Sequence, residues 1–223
     1  MAEYSEYNEF NRFPNLDGLE GKLIDHLVKS QSPHADIIWK LLGYGDNVNA
    51  LAEKSLTTSQ RWDLVCRNSG KPSGKRVFLS PFIDDAITDR CACIYIYVAG
   101  IDTSDHLKSK VTVAVETVVH VQSACINGDG DALVNQHANP NDSDSEGNLI
   151  VLLKSRETTL LKNILAEFNG LTLDGIGYLQ LNSVVASESR VTMPIFNNRS
   201  FYGHRTNFVI AMSGVSENNF LGF

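Results

Sequence analysis

Hydrophobic positions recur with a helical period at three places along this chain. Between residues 148 and 168, Leu149, Leu153, Leu160, Leu161, Ile164, Leu165 and Phe168 fall at spacings of three, four and seven. Lys154, Arg156, Glu157 and Lys162 fall mostly on the other side. The pattern predicts an amphipathic helix capped by Asn148 and ended by Gly170, where a residue without Cβ adopts a left-handed conformation at little cost. Leu16, Leu19, Leu23, Ile24 and Leu27 predict an earlier helix over 16–29. Another opens at Ser32-Pro33, with Ser32 as N-cap and Pro33 at the first helical position, where a missing N–H is no loss. Its buried face is Ile37, Ile38, Leu41 and Leu42, and residues 43–45 end it.

Elsewhere the period drops to two. Over 91–98, Ile94, Ile96 and Val98 alternate with Cys93, Tyr95 and Tyr97. Over 110–122, Val111, Val113, Val115, Val119 and Val121 share a face, with Thr112, Glu116, His120 and Gln122 opposite. A strand that long exceeds the usual length of about five or six residues, so its far end is expected to project as a hairpin or a long edge. Residues 176–182 and 206–213 read as two further strands, and 100–108 as a turn. The predicted fold class is α+β: N-terminal helices, then a β-β-α-β-β sheet with one long amphipathic helix packed across it.

Three stretches interrupt this order. Residues 1–15 form an arm with Tyr4, Tyr7, Phe10 and Phe13 at a spacing of three, either a frayed terminus or a segment that docks its aromatic face on a neighbour. Residues 46–90 lose periodicity and are expected to hold one short helix, 59–66, and one short strand, 75–79. Residues 124–147 form an acidic loop rich in Asp, Asn and Gly, and 214–223 a tail with Phe220, Leu221 and Phe223. The single domain is expected to span 16–213, and no internal repeat is evident.

Composition narrows the classes. With 223 residues and 43% hydrophobic content the chain can bury one good core. No run approaches the roughly 18 to 20 apolar residues of a membrane helix, and the start MAEYSEYNEF is acidic where a signal peptide would be basic. An intracellular, membrane-free protein is the expectation. Nineteen basic against twenty-six acidic residues give a net charge of −7, with no basic stripe of the kind a sequence-reading nucleic-acid binder shows. The four cysteines, Cys66, Cys91, Cys93 and Cys125, lack framework density and read as reduced thiols packed as small apolar side chains.

Candidate chemistry is thin. Asp142, Asp144, Glu146 and Gly147 match positions one, three, five and six of a calcium-binding loop, but the position for its bidentate Glu holds Leu153. These acids are weak metal candidates, and a solvated loop is the expectation. The six histidines show no zinc spacing, and His120 reads as an ordinary histidine on the polar face of its strand. GxSxG, P-loop and GxGxxG motifs are missing, and Asp84, Asp85 and Asp89 read as solvated. No catalytic or cofactor-binding residue is assigned.

One pattern of order remains. A helix ending LAEFNG leads into LTLDGIGYLQLN and then FNNRSFYGHRTNFVIAM, where Asn198, Phe201, Gly203 and the run 208–212 form an Asn-x-x-Phe-x-Gly-hydrophobic closing strand. Upstream stand the helix IIWKLLGY, the excursion Leu79-Ser80-Pro81-Phe82, the strand IYIYV and the strand ending VVHV. Over about 16–213 this resembles the neck and tail-completion proteins of tailed bacteriophages. The resemblance implies a tail-terminator-like protomer, not an enzyme and without a cofactor, in a homo-oligomeric ring of six or twelve copies. Its partners would be itself and neighbouring neck, portal-adaptor or tail-tube proteins in the virion, assembled in the host cytoplasm, with DNA passing through only passively. The acidic insertion 128–147 departs from the family, whose members run there through a short Asp-Gly segment. On this reading Tyr4, Tyr7, Phe10, Phe13, Phe220 and Phe223 are subunit-interface candidates, because apolar ends and sheet edges seek partners. The alternative is a small cytosolic binding protein or hydrolase with a cation in the acidic loop.

Overall fold

The computed structural model describes residues 18–67, 73–81, 90–102, 108–127, 153–173, 177–181, 192–195 and 200–213. The aromatic arm, the C-terminal tail and the acids Asp142, Asp144 and Glu146 lie outside these residues. So do Asn148, Asn198, Asp84, Asp85 and Asp89.

The two N-terminal helices form where the leucine and isoleucine spacing places them. Helix α1 (Leu19–Lys29) buries Leu19, Leu23, Ile24, Leu27 and Val28. Helix α2 (Pro33–Gly43) has Ser32 as N-cap, its side chain accepting from the Ala35 N–H at 2.9 Å, and Pro33 in the first turn. Within the irregular excursion a short α3 (Thr58–Leu64) is held by a capping box between Thr57 and Gln60, and β1 (Val77–Phe78) follows.

The sheet is organised on three long strands: β2 (Ala92–Asp102), β3 (Lys108–His120) and β9 (Phe201–Ser213). Two short strands, β4 (Cys125–Asn127) and β5 (Leu153–Ser155), pair with each other apart from it. Helix α4 (Arg156–Phe168) is followed by β6 (Thr172–Leu173), β7 (Gly177–Leu181) and β8 (Thr192–Ile195). The order across the main sheet is β1-β2-β3-β9-β7-β6, with β8 also on β9. Because β3 takes one side of β9 along its whole length, β8 and β7 share the other side end to end, at residues 203–206 and 208–210. The chain is thus an α+β protein, with four α-helices among the described residues.

Five expectations need correction. Helix α4 begins at Arg156 with Ser155 as N-cap, not at Asn148, because Leu153 joins a strand opposite Asn127. A short run with leucines at 149 and 153 fits either period, and strand pairing decides it. Its buried face is also rotated toward Arg156, Glu157, Asn163 and Glu167, which the leucine stripe had left on or near the polar side. Strand β3 is no projecting edge: all its residues pair with β9, so its length is matched by a partner, and Val121 lies in a 3₁₀ turn, exposed. Finally, β2 continues through Gly100 to Asp102, and Ile126, inside the expected acidic loop, is a core residue of β4.

The register sorts side chains into rows across the sheet. On the face that carries the main core, the rows are Ile101-Val111-Ile210-Leu179, Val98-Val113-Phe208-Leu181 and Ala92-Val119-Tyr202. Helices α1, α2 and α4 contribute Leu19, Leu23, Trp39, Leu42, Leu160, Ile164 and Phe168 to this core. The other face holds a smaller cluster of Phe78, Cys91, Cys93, Tyr95, Val118 and Phe201. Cys91 and Cys93 are buried there as free thiols, with Sγ atoms 3.4 Å apart. Gly203 sits where β9 crosses β3 most closely: a Cβ would lie 1.7 Å from the Thr117 carbonyl oxygen.

Candidate functional site

Among the described residues, four of the places where polar side chains gather stand out, and three of these are locks between elements. The first is at the end of α4. Glu167 takes a bond from Ser32 Oγ, and His26 Nε2 lies 3.0 Å from its Oε1. Burial alone would raise the Glu167 pKa, but bonds from His26, Ser30 and Ser32 outweigh it and hold the carboxyl at about 2. Ser32 is already engaged as N-cap, and both it and His26 address the same carboxylate. A nucleophile activated by a histidine needs the histidine between the hydroxyl and the acid, and that order is not built here. Beside this lock, His34 Nδ1 meets Asn163 Oδ1 at 2.9 Å, so α2 and α4 are stitched along their length.

The second lock is at the start of α4. Glu157 accepts from Thr117 Oγ1 at 3.1 Å and contacts His204 Nδ1 at 2.8 Å. Thr117 and His204 are register partners, so one carboxylate from the helix closes a polar break in an otherwise apolar face. Next to it Arg156, fully buried, donates to the carbonyls of Ser123, Leu41, Tyr44 and Asn47 at 2.6–3.2 Å. Leu41 lies in the last turn of α2, where helix carbonyls run short of backbone donors, while the Tyr44 and Asn47 carbonyls also accept from the Asn47 and Ala50 N–H groups. Burial lowers the Arg156 pKa, while Asp46 raises it.

A third lock lies on the other face. Arg205 Nε and Tyr97 Oη each donate to Glu116 Oε1 at 2.7 Å, and Glu116 is 1% exposed. Burial and then the Glu116 bond raise the Tyr97 pKa. Sequence reading placed Glu116 on this face but gave it no partner, since Arg205 is distant in the chain. The pairs Glu157–His204, Glu167–His26 and Glu116–Arg205 have no local signal; only tertiary pairing brings them together.

His120, expected on an ordinary polar face, packs edge-on against Phe201 at 5.0 Å, and burial and then the charge of Arg90 lower its pKa. Among the described residues no group of three His, Cys, Asp or Glu side chains is placed to hold a metal ion.

The fourth polar place is a cleft of about 440 Å³ lined by Gly43, Gly45, Asp46, Arg76, Arg90, Gln122 and Ser123. It lies where the end of α2, the approach to β1, the approach to β2 and the turn after β3 meet.

The outer margin of β2 is built differently. β1 pairs only with Ile94 and Tyr95, so beyond Tyr95 no described strand lies outside β2. The register of β2 shifts between Val98 and Gly100, which makes Ala99 an extra residue. The shift returns Ile101 to the core face opposite Val111. The row Ile101-Val111-Ile210-Leu179 is therefore fully buried in its three inner members and 41% exposed at Ile101. Leu79, just after β1, is 50% exposed. Among the described residues no helix is long and apolar enough to cross a membrane. No protein-family model, curated protein or solved structure matches the chain.

Proposed function

We propose that the chain is a structural protein of the head–tail junction of a tailed bacteriophage, a subunit that closes into a homo-oligomeric ring and lets DNA pass. The observation that carries this reading is the outer margin of β2, where an apolar row of the core face reaches the sheet edge and ends in exposed Ile101. A sheet edge with an apolar rim favours a partner, and identical copies joined head to tail close into a ring when the rotation permits. The polar clusters support the same reading, since the buried carboxylates are spent on joining elements. The order of helix, glycine-containing strand and closing strand, with its resemblance to neck and tail-completion proteins, supplies the viral context. A net charge of −7 suits the wall of a channel from which phosphate backbones must slide free.

The test is quantitative mass spectrometry of purified virions of the virus that encodes the chain, against its major capsid protein. Six or twelve copies per particle is the expected result. Absence from the particle, with a monomer in native mass spectrometry of the purified protein, overturns the proposal.

A further inference from the structure

Two cysteines on the face of the sheet opposite the main core are placed as a pair. Cys91 immediately precedes β2 and Cys93 is its second residue, so they stand two residues apart and point to the same side. Their Sγ atoms are 3.4 Å apart. Cys93 lies across from Val118, and the Cys91 carbonyl accepts the His120 N–H at 2.9 Å, so β3 holds both. Around them are Phe78, Tyr95, Val118 and Phe201. Packing among these side chains requires small apolar groups, not sulfur, so the fold leaves the chemistry of the pair unused.

Two chemistries suit paired thiols, a soft metal ion and a disulfide. Among the described residues no group of three Cys, His, Asp or Glu side chains is placed to hold a metal. A metal dithiolate would also bring charge into an apolar cluster, a cost that a neutral disulfide does not incur. A disulfide needs its sulfurs at about 2.05 Å, so the pair must close by roughly 1.4 Å. Residues two apart on a strand have Cα atoms about 6.6 Å apart, within the range of about 4.4–6.8 Å that disulfides span. Both thiols are buried, yet they lie at the end of β2: Arg90 is exposed, and β1 pairs only with Ile94 and Tyr95. Strand ends open locally at low free-energy cost, and opening here uncovers Cys91 first.

We propose that Cys91 and Cys93 are an oxidisable dithiol, a modification site at which hydrogen peroxide closes a disulfide within one strand. The Cys91 thiolate attacks one peroxide oxygen and the O–O bond breaks, leaving a sulfenic acid and, once protonated, a water. The Cys93 sulfur then attacks the Cys91 sulfur, the S–O bond breaks, and the hydroxyl leaves with the Cys93 proton as a second water. Two thiols and one peroxide thus give one disulfide and two waters, with two electrons passing from sulfur to peroxide. Gly45 packs on this place so closely that a Cβ there would lie 3.1 Å from the Cys91 Cα, so a shift of Cys91 is passed to the turn after α2. The site does not depend on the ring reading.

The experiment treats the full, folded chain with hydrogen peroxide, alkylates it and digests it with trypsin. Cleavage after Arg90 and Lys108 leaves one peptide, 91–108, that holds both cysteines and neither Cys66 nor Cys125. After peroxide this peptide is expected to be lighter by two hydrogen atoms and to take no alkyl group, and dithiothreitol before alkylation restores both thiols. The double variant Cys66→Ser, Cys125→Ser is expected to form the same bond, with a far-UV circular dichroism spectrum that oxidation leaves unchanged. If peptide 91–108 keeps both thiols while Cys66 and Cys125 oxidise, if its disulfide appears only in urea, or if the double variant no longer forms it, the proposal is overturned.

Discussion

The end of the sheet near Ala92 and His120 and the end near Asp102 and Lys110 are built from the same three strands, yet they are finished in opposite ways. At the first, the charged and backbone groups that the sheet and helices bury are met by partners, Thr117 and His204 by Glu157 and four carbonyls by Arg156, with the Ser123 hydroxyl left over. At the second, the apolar row through Val111 and Ile210 runs outward to Ile101 and stops half in solvent. The first end is self-sufficient, because a buried charge is tolerated only with hydrogen bonds around it. On the proposed ring reading the second is covered by a neighbouring copy, because apolar surface at a sheet edge favours association. A substitution at the first end should therefore cost stability, and one at the second should cost assembly.

Gly203→Val tests the first end most severely. With no space for a Cβ against the Thr117 carbonyl, β9 must separate from β3, and a loss of more than about 4 kcal/mol, enough to unfold a marginal domain, is expected in a urea melt monitored by circular dichroism. A melt within a degree of wild type would mean that the two central strands do not approach as described. Arg156→Ala comes next. Removing the guanidinium takes a donor from the Leu41 and Ser123 carbonyls, and a second donor from those of Tyr44 and Asn47, and opens a cavity, so about 3–5 kcal/mol should be lost by the same measurement.

Glu167→Gln is smaller and depends on pH. The folded-state pKa of Glu167, about 2, lies below its ordinary value of 4.5, so the unfolded chain binds more protons between those values. The stability that this carboxylate contributes, up to about 3 kcal/mol, is fully present above pH 5 and is lost as the pH falls toward 2. The Gln variant should flatten the unfolding free energy in that window and leave its slope above pH 6 unchanged. A wild-type curve already flat from pH 5 to 2 would remove Glu167 from the lock. Ile101→Lys should change the monomer's stability least, by less than about 0.5 kcal/mol, and abolish higher oligomers in native mass spectrometry. If the lysine variant assembles as wild type does, the outer margin of β2 is not the contact, and the comparison between the two ends fails at that point.

Much of the secondary structure was legible in the residues. The Ser32-Pro33 helix start, the burial of Leu19, Leu23, Ile24 and Leu27, and the left-handed Gly170 at φ 91° after α4 all follow from local rules of capping and periodicity. The alternation in β2 put Ile94 and Ile96 on one face and Cys93 and Tyr95 on the other, and the two core clusters keep that division. The start of α4 was misread because Leu149 and Leu153 fit a helical spacing, while only the pairing of Leu153 with Asn127 makes Leu153–Ser155 a strand. The polar locks were not legible at all.

What the sequence determined by itself is the set of elements and the faces they bury, since both rest on interactions within a few residues. What only the tertiary structure decided is which strands are central, which charges are buried and that the row through Val111 ends in an exposed Ile101. β3 reads as an overlong edge until β9 runs beside it for its full length. Arg156, Glu157 and Glu167 read as a solvated helix face until carbonyls, Thr117, His204, His26 and Ser32 arrive from elsewhere in the chain. The physical reason is the same in each case: burial of a charge or of a backbone edge depends on a partner, and a partner distant in sequence leaves no trace in the local pattern.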